Sequence, residues 1–132
     1  MRIAVDTNVL VRFLTWDDEP QAALAAQAIE AAETVVLPTV VLCETVWVLR
    51  RAYKLPPREI AATLRDLIDS KPVEVDRVAA EAGLALLDRG GDFADGVILH
   101  DAERAGAAQL VTFDRALAAL AEPRLVRQLD PV

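Results

Sequence analysis

The sequence is poor in the residues that most often build zinc, redox and disulfide centres. It has one cysteine and one histidine. A single thiol, Cys43, excludes an intramolecular disulfide framework and fits a reducing compartment. With no cysteine–histidine cluster, nothing supports a zinc site. Positive charge is scarce too: 14 Lys and Arg stand against 21 Asp and Glu, a net charge of −7. That balance argues against a general electrostatic grip on nucleic acid, unless bound cations reverse the sign locally. No apolar run is long enough to span a bilayer. The first residues do not form a basic segment followed by a long apolar one, so no signal peptide is visible. The expectation is a soluble cytoplasmic protein with no membrane partner.

What is present reads as one globular domain over residues 1–132. Apolar residues make up 54% and charged residues 27%. No internal repeat, low-complexity tract or long linker divides the chain. Arg2 to Val5 reads as a buried strand, and Thr7 to Leu14 carries a helical stripe of Val9, Leu10, Phe13 and Leu14, capped by Thr7 or Asn8. Helices are expected over Gln21 to Glu33, from Pro38 or Thr39 to about Tyr53, and over Arg58 to Ser70. Two more follow Asp76 and Asp92, and a short one covers Arg115 to Leu120. Strands are expected at Thr34 to Leu37, Pro72 to Val75, Gln109 to Phe113 and Leu125 to Leu129. This alternation predicts an α/β fold with a central parallel sheet and helices on both faces.

Four acids stand where acids are costly or strategically placed. Asp6 ends the first strand, and ligands of parallel α/β sheets bind at strand carboxyl ends. Glu44 lies among Val40, Val41, Trp47 and Val48 at helical spacing, an apolar setting in which a lone carboxylate needs a partner. A buried ion pair with Arg50, Arg51 or another arginine is the competing account, and Trp47 is expected in the core. Asp114 ends the strand Gln109 to Phe113, where capping the next helix would also explain it. Asp95 follows Asp92, which suits the cap position better and leaves Asp95 needing another explanation. Carboxylates brought together repel, and a hard divalent cation removes the conflict; oxygen ligands suit Mg²⁺ or Mn²⁺.

Asp6-Thr7-Asn8 with Val9 to Thr15, Glu44-Thr45-Val46-Trp47, Phe93-Ala94-Asp95-Gly96 and Val111-Thr112-Phe113-Asp114 resemble the motif set of PIN-domain proteins. The similarity is greatest to VapC-type toxins of bacterial toxin–antitoxin pairs, and it covers the whole chain. It implies a three-layer α/β/α fold and a metal-dependent endoribonuclease. The resemblance makes Asp6, Glu44, Asp95 and Asp114 the catalytic and metal-binding acids, with Thr7, Asn8 and Thr112 as supporting polar groups. It also implies Mg²⁺ (or Mn²⁺), an RNA substrate, a VapB-type antitoxin and a homodimer. Two departures flank Asp95: Gly96, where relatives often carry Ala, and Leu99-His100, where they often carry paired alanines. Both would loosen that helix without removing a ligand.

Other residues admit milder readings. Arg12, Arg50, Arg51, Lys54 and Arg115 are candidate phosphate contacts or ordinary solvated charges. His100 reads as a helix histidine, Cys43 as a small buried hydrophobe, and Trp16 as an exposed residue at a partner surface. Two alternatives to the ribonuclease stay open. One is a phosphotransfer domain using Asp6 as nucleophile. The other is a non-catalytic module whose acids hold a structural ion.

Overall fold

The computed structural model describes residues 1–131 and divides the chain into two compact units, Met1–Arg77 and Val78 onward. The first contains β1 (Arg2–Ala4), α1 (Thr7–Thr15), α2 (Glu19–Ala31), β2 (Thr34–Val36), α3 (Thr39–Arg51), α4 (Pro57–Asp69) and β3 (Val73–Glu74). The strands are parallel in the order β1-β2-β3. Ile3 pairs with Val35, and Val35 with Val73. Parallel neighbours need helical crossovers, which α1–α2 and α3–α4 supply.

Local chemistry sets the element ends. Asp18 opens α2 by accepting from Gln21 N at 3.1 Å, with Pro20 in the first turn where its missing N–H costs nothing. Pro38 precedes α3, and Pro56-Pro57 separates α3 from α4. The helices bury their apolar stripes: Leu10 and Val11 of α1, Ala22, Ala25 and Ala26 of α2, Leu42, Val46 and Leu49 of α3, and Ile60 and Leu64 of α4. Arg2 joins β1 to β3 by two hydrogen bonds to Glu74, at 2.8 and 3.1 Å.

The second unit contains α5 (Arg77–Asp88), α6 (Phe93–Arg104), β4 (Leu110–Thr112), α7 (Arg115–Leu120) and β5 (Val126–Gln128). β4 and β5 pair in parallel, Leu110 opposite Val126. Leu86, Leu117, Ala121 and Val126 form its buried cluster, with Leu99, Leu110 and Leu125 packed around them. Gly90, at φ +85°, follows α5 in the left-handed conformation that an L side chain resists. α5 and α6 approach closely. A Cβ on Gly96 would lie 2.3 Å from the Ala82 carbonyl oxygen, and one on Gly83 would lie 2.6 Å from the fully buried Phe93 ring.

Several expectations change. β1 is less covered than its Ile-Ala-Val run suggested, because it is an edge strand and Ala4 is exposed. Trp47 is not core: it is 57% exposed, since α3 turns Leu42, Thr45, Val46 and Leu49 inward and leaves Trp47 on the opposite face. On α6, Val97 is buried and Ile98 is exposed. Cys43 is only half-buried. Gly96 does not loosen α6, which is unbroken; it allows α6 to sit against α5. Trp16 is exposed, as its position after α1 implied.

Candidate active site

In the first unit, Asp6 follows β1 by two residues and is itself the cap of α1, a role assigned above to Thr7 or Asn8. Its Oδ1 accepts from Val9 N at 3.0 Å. Asp wins because it is the last extended residue, where a side-chain oxygen reaches the third helical N–H. Capping fixes the rotamer with one oxygen and leaves Oδ2 for a ligand. Thr7, freed from capping, donates its hydroxyl to Glu44 Oε1 at 2.7 Å.

Glu44 is exposed, which corrects the apolar setting inferred from its neighbours. Val40 and Trp47, two of those neighbours, are themselves exposed and do not bury it. Its partner is therefore the Thr7 hydroxyl, in a charge-assisted bond that needs no buried arginine.

A groove of about 370 Å³ opens between α1 and α2, lined by Asp6, Asn8, Val9, Arg12, Gln21 and Leu24 among others. Asn8, a predicted supporting group, is exposed on its wall. Arg12 is held by an array that the sequence did not reveal. Its Nε donates to Gln21 Oε1 at 2.7 Å, and its Nη1 pairs with Asp17 Oδ1 at 2.8 Å. The Tyr53 hydroxyl donates to the other Asp17 oxygen. That bond, with help from Thr15 and Arg12, holds the Asp17 carboxyl below its ordinary value. Arg12 is thus a braced groove wall, and part of its charge is already spent on Asp17. The only sequence hint was an acid five residues after the arginine, because Tyr53 comes from the turn that follows α3.

In the second unit, Asp114 repeats the arrangement of Asp6. It follows β4 by two residues and caps α7, its Oδ1 accepting from Leu117 N at 3.1 Å. Thr112 is the predicted supporting residue here. Its hydroxyl accepts from Asp114 N at 3.0 Å and steadies the turn. Asp92 caps α6 through Ala94 N at 3.0 Å, as expected. Asp95, in the first turn, is half-buried. Burial, followed by the charges of Asp92 and Asp114, pushes its carboxyl above the ordinary aspartate value.

The structure therefore brings Asp6, Thr7 and Glu44 together in one unit and Asp92, Asp95, Thr112 and Asp114 in the other. Among the described residues, no three His, Cys, Asp or Glu side chains form a ready-made metal cage. The donors are nevertheless carboxylate, hydroxyl and amide oxygens, the set preferred by a hard cation. Mg²⁺ keeps several waters and binds through one or two carboxylates, so a closed cage is not required. The acid crowding around Asp95 is what such a cation would relieve.

The PIN-domain family model matches residues 3–123. The chain belongs to the PIN-domain family. Comparison with curated proteins finds no match. The helices and parallel strands are those of a PIN domain and are consistent with its three-layer α/β/α fold. PIN domains are typically metal-dependent nucleases and usually bind a divalent metal. No helix among the described residues is long and apolar enough to cross a membrane.

Proposed function

We propose that this PIN domain is a single functional domain acting as a metal-dependent endoribonuclease, the toxin of a type II toxin–antitoxin pair. Asp6, Glu44, Asp95 and Asp114 are its metal-binding acids, and Mg²⁺, or Mn²⁺, is the cation. The observation that carries this reading is the Asp95 carboxyl, pushed up by burial and by Asp92 and Asp114. A bound divalent cation would offset both the burial and the like-charge repulsion at this carboxyl.

A bound divalent cation would supply Lewis-acid stabilisation of the phosphate and activation of water. The chain's own residues prepare for it. Asp6 and Asp114 each spend one oxygen on a helix cap and Glu44 spends one on Thr7, so each carboxylate is oriented before any ligand binds. Pre-orientation lowers the cost of ordering these side chains around substrate. The toxin assignment, the VapB-type antitoxin and the homodimer rest on the motif resemblance. Exposed Leu24, Val78, Val111 and Phe113 offer apolar surface for such partners.

The test is Asp6→Asn. Asparagine caps a helix about as well as aspartate, so α1 is retained while the charge is removed. The variant is expected to stay folded, to lose RNA cleavage, and to lose the Mg²⁺-dependent rise in Tm expected of the parent. Undiminished metal-dependent cleavage by Asp6→Asn would overturn the proposal. RNA binding without cleavage, across metals and substrates, would reduce the protein to a binding module.

A further inference from the structure

We infer that Trp47 is a stacking platform for an unpaired RNA base flanking the scissile phosphate, with Arg51 serving the adjoining phosphate. The inference rests on the nuclease reading and assigns a substrate-positioning surface to it.

Val40, Glu44, Trp47 and Arg51 recur at spacings of four, three and four along α3, so they form one stripe. All four are exposed, Val40 at 63% and Trp47 at 57%. The core-facing side of the same helix is fully used by Val41, Leu42, Thr45, Val46 and Leu49. The indole has therefore been kept out of the core, one turn from the acid that Thr7 orients.

The Arg51 guanidinium lies over the indole, 5.4 Å from the ring centroid. That is cation–π distance. It steadies the ring and places a positive charge beside it, while Trp47 as a whole stays exposed. Lys54, also exposed, follows at the end of the helix. In a chain of net charge −7, a cationic helix end next to a bare aromatic is a local exception to the prevailing sign. An aromatic face with flanking cations matches the two parts of a nucleotide, a flat base and an anionic phosphate. Stacking needs a base free of its duplex partner, so the surface selects single-stranded RNA and tolerates sequence changes at that base.

The experiment uses the full chain, a short single-stranded RNA and the same RNA annealed to its complement. Trp47→Ala is expected to raise KM by about tenfold with kcat changed less than about threefold, the scale of one lost stacking contact. Trp47→Phe should recover most of the affinity. In a Trp16→Phe background, indole fluorescence should be quenched by the single strand in EDTA and much less by the duplex. Unchanged KM and unchanged metal-free affinity in Trp47→Ala would overturn the inference. So would a fall in molar mass by light scattering, because the stripe would then be covered by a second copy. A fall in kcat alone that Phe does not rescue would also overturn it. Asp6→Asn, assayed in parallel, separates the two claims: undiminished metal-dependent cleavage by that variant defeats the carboxylate metal site of the proposed function, whereas Trp47 quenching in EDTA reports RNA binding whether or not cleavage occurs.

Discussion

The Thr7 hydroxyl donates to Glu44 Oε1 at 2.7 Å, tying the first turn of α1 to the middle of α3 across 37 residues of sequence. It orients an exposed acid that would otherwise sample several rotamers. Thr7→Val keeps the shape and removes the donor. A hydrogen bond to a charged group contributes roughly 1.5–3 kcal/mol when well shielded, and less when exposed as here. Cleavage is therefore expected to fall about five- to tenfold in kcat/KM, with Tm nearly unchanged. Thr7→Ser should restore most of it. Equal rates for Thr7→Val and the parent would show that Glu44 needs no such support.

Asp114 has two separable jobs, and two substitutions tell them apart. Asp114→Ala removes the cap of α7 and is expected to cost about 1 kcal/mol of stability. Asp114→Asn keeps the cap through its side-chain oxygen and removes only the charge. Denaturant melts should show the loss in the alanine variant alone. Metal-dependent cleavage should be lost in both. An active Asp114→Asn enzyme would confine this residue to capping.

Asp95 makes stability depend on pH in a defined direction. Its folded-state pKa is raised, first by burial and then by Asp92 and Asp114. The folded state therefore holds this proton more tightly than the unfolded chain. That contribution to stability is complete below the unfolded pKa and is lost as pH rises through the folded one. At neutral pH the metal-free protein carries an uncompensated charge. Asp95→Asn should accordingly melt higher than the parent in EDTA at pH 7, by a few degrees at most because the group is half-exposed. The gap should close as pH falls toward about 4. Added Mg²⁺ should raise Tm in the parent and not in the variant. A variant that melts lower at pH 7 would mean that the Asp95 charge is already compensated.

The elements were legible because their signals are local. Pro38, Pro56-Pro57, Gly90 and Gly106 punctuate the chain, and each strand carries at least one β-branched residue. Every expected helix and strand forms, with ends shifted by at most two residues. What the sequence misjudged was which way side chains face. Glu44 and Trp47 lie in one apolar run, and the run does not say that α3 has a second, solvent-facing side. Apolar residues such as Val40 stand on that side too, which blurs the stripe. The Asp6 cap was missed because three consecutive residues, Asp6, Thr7 and Asn8, are all good caps. Backbone conformation, not residue type, decides among them: Asp6 is extended at φ −90° and ψ 177°. The bracing of Arg12 by Asp17, Gln21 and Tyr53 depends on contacts between separate segments of the chain, and spacing cannot encode those.

Gly96 is the residue whose role changed most between pattern and structure. A glycine in the first turns of a helix costs conformational entropy. The cost is offset by proximity, because an added Cβ would sit 2.3 Å from the Ala82 carbonyl oxygen and 2.9 Å from the Gly83 Cα. Both are backbone atoms that cannot rotate away. Gly96→Ala must therefore push α6 from α5. The overpacking is expected to cost about 1–3 kcal/mol, outweighing the roughly 1 kcal/mol gained in helix propensity. Because Asp95 is the preceding residue, the same displacement moves a proposed metal-binding acid. Tm should fall by several degrees, and kcat should fall more than the lost folded fraction explains. A Gly96→Ala protein as stable and active as the parent would show that α5 and α6 separate freely, and that their close contact does not position Asp95.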